Sequence, residues 1–262
     1  MTGFIDLYTE RDTFLHRMDP RVKIAAVIFL SLLAMILEDL ALLLVLLAFI
    51  FLLLLLARAS PSKTLFAFKF VLRLMVLIII LWPLLDPSGD PVLFSLGPLK
   101  ITTPAIMRGV TAAVNVGCLA SVWYILMFTT SQRDLVRALV RLGLRFDFGL
   151  TIAISLRFLP TFSAMIDSIK DAQRARGLDF SKGGLMRRAR NYFAVLFPTI
   201  VNALRTSETL SLALQSRGYG ARADRTYLRE LRMRASDYAA LSFWVLLFAV
   251  PAVAIYVFQI PL

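Results

Sequence analysis

Cysteine and histidine are almost absent from this sequence of 262 residues, in which Cys118 and His16 each occur alone. One cysteine excludes an internal disulfide, and neither residue has a Cys or His neighbour with which to bind a metal ion. We therefore expect Cys118 to be a small packing residue in an apolar segment and His16 to face solvent or cap a helix. The sequence predicts no metal site and no cofactor.

Motifs of nucleotide hydrolysis and of hydrolytic catalysis are absent too. The chain contains no G-x-x-x-x-G-K-[ST], no H-E-x-x-H and no G-x-S-x-G. It therefore lacks the phosphate loop that binds ATP, the zinc-binding helix of metalloproteases and the nucleophile turn of hydrolases. No obvious carboxylate pair lies in its apolar segments, which disfavours a proton-coupled carrier that works alone. Aromatic stacking groups are sparse in its basic regions, so we expect no nucleic-acid partner.

What the chain does have is apolar length combined with positive charge. Hydrophobic residues make up 59% of it, and the formal net charge is +12. Its mean hydropathy is +0.76. This apolar share is above that of soluble domains, and the excess cations have to stay outside the hydrocarbon. The composition predicts an integral membrane protein, in contact with the lipid bilayer, that keeps a basic part in water.

Five apolar stretches are long enough, with their flanks, to cross a bilayer. We predict an all-α integral membrane protein with about five transmembrane helices and a basic domain of amphipathic helices inserted before the last one. The predicted domains are 1–130 with four crossings, the basic cytoplasmic domain 131–236, and 237–262 with the last crossing. The predicted crossings are 22–37, 40–57, 65–85, 104–130 and 237–258.

The charges of the loops give the expected orientation. Lysine and arginine cluster before the first crossing, in the loop 58–63 and across 131–236, whereas the turn 38–39 and the loop 86–103 are acidic or nearly neutral. By the positive-inside rule, the N-terminus is cytoplasmic, and five crossings place the C-terminus outside. We expect this membrane to be a bacterial or archaeal cell membrane.

Residues 131–236 carry 19 Lys and Arg against 8 Asp and Glu, a net of +11 out of the total of +12. The segment opens on a short amphipathic helix with Ser131 as N-cap and Asp134 in its first turn. We interpret the whole as three or more helices that lie against the cytoplasmic surface and attract anionic lipid with part of their charge. An alternative topology makes 146–169 or 192–214 a hairpin of two further crossings.

Two cations also lie within the third predicted crossing. Lys69 and Arg73 are one helical turn apart near its start. They either extend to the membrane surface or face a partner helix inside the bundle.

The chain is organised around two similar runs of sequence, Asp171–Asp179 and Leu212–Gly220. Each run predicts a helix that closes on a small residue, an arginine and a glycine, and each follows a proline that is expected to open the helix, Pro160 or Pro198. Each helix is then roughly four to five turns long. The two closing triplets are Ala175-Arg176-Gly177 and Ser216-Arg217-Gly218.

These triplets have two interpretations. Gly177 and Gly218 are ordinary helix stops, and each arginine simply favours the negative end of its helix dipole. Alternatively, the two arginines are held rigidly so that they dock onto carboxylates of a partner protein. Two copies at matched positions favour docking.

The paired triplets, four crossings before them and one after resemble the transmembrane T component of energy-coupling factor (ECF) transporters. The stretch Tyr8-x₇-His16-Arg-Met-Asp-Pro20-Arg21-Val-Lys23 also resembles that family's pattern before its first membrane helix. The similarity covers essentially the whole chain. The second triplet has Ser216 where the family has alanine, which keeps a small side chain.

The resemblance implies a non-catalytic scaffold of an ATP-driven importer, with the two helices crossing as an X in grooves of two ABC-type ATPase subunits. Arg176 and Arg217 would contact acidic residues of the ATPases. Ala175 and Ser216 would permit close approach, and Gly177 and Gly218 would let the backbone turn away. A separate S component would bind the substrate, a vitamin or a transition-metal ion, and ATP-driven motion would reorient it. The alternatives are a membrane-embedded lipid-modifying enzyme and an autonomous channel.

Overall fold

The computed structural model describes residues 13–58, 61–86, 91–96, 99–180, 184–221 and 233–258. Tyr8 of the first-helix pattern and the basic stretch 222–232 lie outside the described residues. The helices and strands in chain order are α1 Phe14–Arg17, α2 Pro20–Ile36, α3 Leu40–Leu56, α4 Pro61–Leu85, β1 Val92–Leu96, β2 Leu99–Thr102, α5 Thr103–Thr129, α6 Gln132–Arg141, α7 Phe146–Ala175, α8 Leu185–Ser216 and α9 Ala235–Phe258.

The predicted all-α membrane fold is confirmed, and local sequence explains where its first helices begin. Pro20 occupies the first turn of α2, and the side chain of Asp19 accepts a hydrogen bond from the backbone N–H of Arg21. Asp39 caps α3 in the same way through the N–H of Ala41. Each cap satisfies a donor that a helix N-terminus leaves unpaired. Because only Leu37, Glu38 and Asp39 separate the two helices, the chain reverses direction there.

Four helices among the described residues are long and apolar enough to cross a membrane. They are Thr64–Leu85 in α4, α5, α7, and Ala235–Val253 in α9. The helices α2 and α3 have 17 residues each, which corresponds to about 25 Å, slightly less than the hydrocarbon thickness. The sequence analysis placed both α7 and α8 at the membrane surface. By length and composition α7 is able to cross a membrane, whereas α8 is not one of these four helices.

The loop predicted at 86–103 contains regular structure. Strands β1 and β2 pair antiparallel as a hairpin, with Ser95 opposite Lys100 and Leu96 opposite Leu99. The sequence analysis predicted only a connection rich in Pro, Gly and Ser. Alternation of polar and apolar residues is too short here to distinguish a strand from a loop.

The chain divides into two compact units, 1–144 with 231–262, and 145–230. The first unit is built around α5, which packs against α2, α3 and α4, while α2 also packs against α6 and α9. The predicted N-cap of α6 is confirmed, since Ser131 Oγ accepts from the N–H of Asp134 at 3.2 Å. The unit boundary lies at 145, later than the expected domain boundary at 131, because α6 packs on α2.

Small residues let α5 approach α4 closely. A Cβ atom added at Gly109 would lie 3.1 Å from Trp82 Cβ, and one at Gly117 would lie 3.0 Å from Met75 Sδ. The first neighbour is fixed to the backbone of α4, whereas the second is the end of a flexible side chain. Packing of this kind holds membrane helices together.

We expect Gly109→Ala to destabilise the first unit by about 1–3 kcal/mol, because Trp82 Cβ forces the two backbones apart. Gly117→Ala is the matched control, since the end of Met75 moves aside. The measurement is the thermal unfolding of the purified protein in detergent. Equal midpoints for the two variants would show that α4 and α5 are not held at this distance.

A buried polar cluster joins three helix ends in the first unit. Lys23, only 8% exposed, donates from Nζ to the carbonyls of Thr129 at 2.8 Å and His16 at 3.1 Å. The carboxylate of Asp237, 4% exposed, accepts from the backbone N–H of Asp19 at 3.1 Å and of Arg234 at 2.9 Å. The beginning of α2, the end of α5 and the beginning of α9 therefore lie on one side of this unit.

Candidate functional site

The first triplet ends α7 with a specific hydrogen-bond pattern. The N–H of Gly177 donates to the carbonyl of Arg174 at 2.9 Å, and the N–H of Leu178 donates to the carbonyl of Gln173 at 3.1 Å. Gly177 has a φ of +86°, whereas Arg176 before it is still close to helical, at φ −83° and ψ 7°. This is the Schellman motif, which needs a residue that tolerates positive φ.

The second triplet ends α8 in the same way. The N–H of Gly218 donates to the carbonyl of Gln215 at 2.9 Å, and the N–H of Tyr219 donates to the carbonyl of Leu214 at 2.9 Å. Gly218 has a φ of +77°, and Arg217 lies at φ −91° and ψ 13°. The repeat found in the sequence is therefore a repeat of backbone structure, with an arginine at the last near-helical position of each helix.

A third helix shows which part of the triplet is general. The helix α6 also ends on a positive-φ glycine, Gly143 at +116°, and the N–H of Leu144 donates to the carbonyl of Leu139 at 3.0 Å. The residue at its C-cap is Leu142. The glycine is thus the ordinary helix stop that one interpretation proposed. The arginine at the C-cap is what distinguishes α7 and α8 from α6.

Both C-cap arginines are exposed and lack partners among the described residues. Neither the guanidinium of Arg176 nor that of Arg217 makes a hydrogen bond, an ion pair or a ring contact with any of them. Their neighbour Arg174 differs, since its guanidinium pairs with Asp171 at 2.9 Å and lies 5.9 Å from the ring centre of Phe180. Two guanidinium groups on rigid helix ends remain free to bind carboxylates in bidentate fashion.

The helices α7 and α8 run antiparallel. Near the end of α7, Gln173 Nε2 donates to the carbonyl of Ala194 in the first part of α8, at 3.2 Å. After the end of α8, Tyr219 Oη donates to the carboxylate of Asp147 at the start of α7, at 2.8 Å. The two triplets therefore lie at opposite ends of the pair, about 45 Å of helix apart. The X-shaped crossing that the resemblance implies stays a prediction.

The expectation that proline opens each helix is wrong. Pro160 and Pro198 lie inside helices of 30 and 32 residues. Proline lacks the N–H that would bond to the carbonyl four residues earlier, and this normally interrupts a helix. In α8 that carbonyl belongs to Ala194, which accepts from Gln173 of α7 instead. A side chain from the neighbouring helix thus replaces the missing donor.

Sequence reasoning missed this role of Gln173. The signal was present, because Gln173 lies within the same run as the first triplet and Pro198 identifies Ala194 as an acceptor without a helical donor. Gln173 also accepts the Schellman bond from Leu178 through its carbonyl. Its backbone ends α7 while its side chain ties that end to α8, which fixes the backbone just before Arg176.

The second unit buries little of itself. Among its described residues only Gly149 and Val195 are buried. Large apolar side chains are exposed along α8, and Phe193, Phe197 and Leu204 are 66%, 72% and 61% exposed. These three recur at helical spacing on the side opposite Val195. An exposed apolar stripe of this length is typical of a surface that binds protein or membrane.

We expect Gly177→Val to weaken binding of the partner of this site about tenfold. A residue with a Cβ at positive φ costs about 1–2 kcal/mol, and valine is strained further, so the turn that carries Arg176 has to move. Space is not the cause, since an added Cβ would meet nothing within 4 Å. The measurement is partner affinity by co-purification and titration.

The matched control is Gly143→Val, which places the same strain at a cap with Leu142 in place of arginine. It should leave partner binding within about twofold of the unmodified protein. Equal losses in both variants would assign the effect to general unfolding. Unchanged binding in Gly177→Val would show that the turn does not position Arg176.

The part of the chain that is similar to known proteins includes both triplets. The family model CbiQ, described as a cobalt transport protein, matches residues 11–228. The energy-coupling factor transporter transmembrane protein EcfT of Brevibacillus brevis is 32% identical over 241 residues, 89% of this chain and 91% of the relative. EcfT of Lactococcus lactis subsp. cremoris is 30% identical over 240 residues, 88% and 89% of the two chains. For EcfT of Thermosediminibacter oceani the values are 33% over 157 residues, 57% and 59%.

Proposed function

Because the chain belongs to the CbiQ family of cobalt transport proteins, we propose that Arg176 and Arg217 are the points at which it binds ATP-hydrolysing subunits. The protein is the transmembrane T component of an energy-coupling factor transporter, the role stated in the names of its EcfT relatives. It is a transporter subunit that resides in a membrane. Its partners, its docking residues and its orientation are the substance of the proposal.

One observation carries the docking proposal. Arg176 and Arg217 occupy the C-caps of two helices that end in the same hydrogen-bond pattern, and these ends lie at opposite ends of the antiparallel pair α7 and α8. Both guanidinium groups are exposed and have no partner among the described residues. A docking partner then needs two acidic sites whose separation and orientation match those of the two helix ends. Two ABC-type ATPase subunits, identical or homologous, fit this requirement because a dimer presents the same groove twice.

At each end, the small residue before the arginine permits close approach of the partner. Ala175 and Ser216 occupy the last helical positions of α7 and α8 and are exposed. The glycine that follows turns the backbone away from the helix axis, so the C-cap side chain projects at the tip. Charge complementarity of this kind fixes the register of a complex.

The mechanism follows from the division of roles. This subunit has no catalytic residues, and its partner ATPases hydrolyse ATP. When they close on ATP, they move the two helix ends that they hold. The exposed apolar stripe of α8 and the membrane helices hold a separate substrate-binding S component, which the motion reorients. The transported substrate is a vitamin or a transition-metal ion.

We propose that the N-terminus and residues 131–236 are cytoplasmic and the C-terminus is outside. The basic loops support this orientation. The shared location of the beginning of α2, the end of α5 and the beginning of α9 supports it too, since 130–234 then leaves and re-enters the membrane on one side. The helix α7 lies outside the hydrocarbon because its second half carries the exposed charges Asp167, Asp171 and Arg174.

Purification of the tagged chain from its native membrane in mild detergent tests this function. The expected result is that two ATPase subunits and one small membrane protein accompany it, and that ATP-dependent uptake of the substrate of that membrane protein requires this chain. Isolation of the chain alone, from membranes in which it is active, would contradict the proposal and favour a channel or an enzyme.

A further inference from the structure

The helix α4 has two faces of opposite character. Its inner face packs against α5 and includes Val71, which is 3% exposed, and Met75, which lies against Gly117. Its outer face, half a turn away by the 3.6-residue period, consists of Lys69, Phe70, Arg73, Leu77 and Ile80. All five side chains of this outer face are exposed. Among the described residues of the first unit, this outer face of a membrane-spanning helix is therefore left exposed.

The position of Arg73 is unusual for a surface that meets lipid. In the apolar stretch Thr64–Leu85, nine residues precede Arg73 and twelve follow it. It lies about 14 Å of helix from one end and about 18 Å from the other, so a crossing along this stretch would place it near the middle of the hydrocarbon. A cation at this depth on a lipid-facing surface is costly, and such residues normally face protein or a water-filled cavity.

Extension of the side chain to the membrane surface accounts for Lys69 but not for Arg73. Lys69 lies one turn nearer to Thr64, at about 8 Å of helix, and its long flexible side chain points towards that end. Arg73 has a further turn of apolar helix to pass. The sequence left two explanations open for both residues, and their different distances from the end of the apolar stretch favour a different explanation for each.

The side chain of Arg73 also lacks a partner among the described residues. Its guanidinium makes no hydrogen bond, ion pair or ring contact with any of them. Arg108 of α5, another arginine near this helix, forms an ion pair with Asp86 at 3.3 Å, just beyond the end of α4. The described residues of the first unit therefore supply a carboxylate to Arg108 at the end of the helix and none to Arg73.

We propose that the outer face of α4 binds a helix of a second membrane-embedded subunit, which presents a carboxylate to Arg73. Phe70, Leu77 and Ile80 surround the guanidinium with 69%, 54% and 60% exposed apolar side chains, which supply the packing surface of such a contact. Bidentate pairing with a carboxylate satisfies a guanidinium away from water. The inference rests on the proposed function in one respect, because it identifies the second membrane-embedded subunit as the substrate-binding S component.

A photocrosslinking amino acid at position 77 tests which molecule covers this face. The protein is labelled in its native membrane and the adduct is identified by mass spectrometry. A residue at position 45 is the matched control, because Val45 of α3 is 67% exposed and α3 contains no Lys or Arg. We expect an adduct with the membrane protein that co-purifies with the chain from position 77, and lipid adducts only from position 45.

Substitution of Arg73 tests the role of charge. Arg73→Leu should lower the yield of the protein adduct at position 77 about tenfold or more, and Arg73→Lys should restore part of it. The ATPase subunits should co-purify in equal amount with each variant, since the helix ends that bind them are unchanged. Leucine fits a membrane helix at least as well as arginine, so the variant inserts.

Three outcomes would overturn the proposal. Lipid adducts from position 77 would show that the face meets the bilayer, and an adduct with a second copy of this chain would show a self-interface. A protein adduct that Arg73→Leu leaves unchanged would remove the role of the charge. In each case the ATPases would still co-purify, so the proposed function would stand. Failure of the proposed function would be recognised by the absence of the ATPases from the purified material.

Discussion

The double variant Arg176→Glu/Arg217→Glu should lose its ATPase subunits and its transport activity together. In the proposed docking, each substitution removes one charge-assisted contact and places a negative charge against acidic residues of the partner. Removal of one partner from a desolvated charge pair costs about 2–5 kcal/mol. Each single variant is therefore expected to bind about 30-fold more weakly or worse, and the double variant about 1,000-fold or worse. Insertion should be unaffected, since both side chains are exposed and neither guanidinium has a hydrogen-bond or ion-pair partner among the described residues.

The chain offers a matched control for this experiment. Arg157 on α7 and Arg205 on α8 are also exposed, and their guanidinium groups have no hydrogen-bond or ion-pair partner among the described residues, but they lie within their helices and not at the ends. Arg157→Glu/Arg205→Glu changes the net charge by the same amount. Co-purification of the ATPases and uptake are measured for both double variants. Survival of both activities in Arg176→Glu/Arg217→Glu would show that the docking assignment is wrong.

The second large effect is expected for Lys23→Leu, which should destabilise the first unit by about 3–5 kcal/mol. Leucine fills the space of the apolar stem, but it leaves the carbonyls of Thr129 and His16 without their charged donor and removes a cation from the cluster that buries Asp19 and Asp237. Hydrogen bonds from charged groups contribute about 1.5–3 kcal/mol each, and breaking a buried charged network leaves the remaining groups uncompensated.

Thermal unfolding of the purified chain in detergent measures this loss. Lys69→Leu is the control, because Lys69 is an exposed lysine of a membrane helix without a partner among the described residues. Its variant should unfold at or above the temperature of the unmodified protein. If Lys23→Leu behaved in the same way, the cluster would not hold the ends of α2, α5 and α9 together.

Local chemistry explains what the sequence predicted well. The cap at Ser131 and the glycine stops at Gly177 and Gly218 depend on residues within five positions of one another, so their pattern is visible in the chain itself. The proposed function of the triplets was not testable in this way, because the same stop also ends α6. The docking role of the two arginines stays a prediction.

Long-range contacts explain what the sequence did not predict. Lys23 and Thr129 are 106 positions apart, and Gln173 and Ala194 belong to different helices. Pro198 was expected to open a helix because proline normally interrupts one, yet Gln173 supplies a donor that no local pattern contains. Likewise, the sequence does not show which face of α4 packs against α5. Only when that face is known can Arg73 be placed on the opposite, exposed face.

The antiparallel pair of α7 and α8 has a mechanical consequence. Each helix is a rod of about 45–48 Å, and the two rods hold the triplets at a set separation, as a spacer would. Pro160 is the fifteenth of 30 residues in α7, and Pro198 is the fourteenth of 32 in α8. Proline weakens a helix where it lies, so each rod is most compliant near its midpoint. If the proposed ATPase subunits move towards each other while they hold the two ends, the helices are therefore expected to bend at these midpoints, which would turn an inward motion into a sideways displacement.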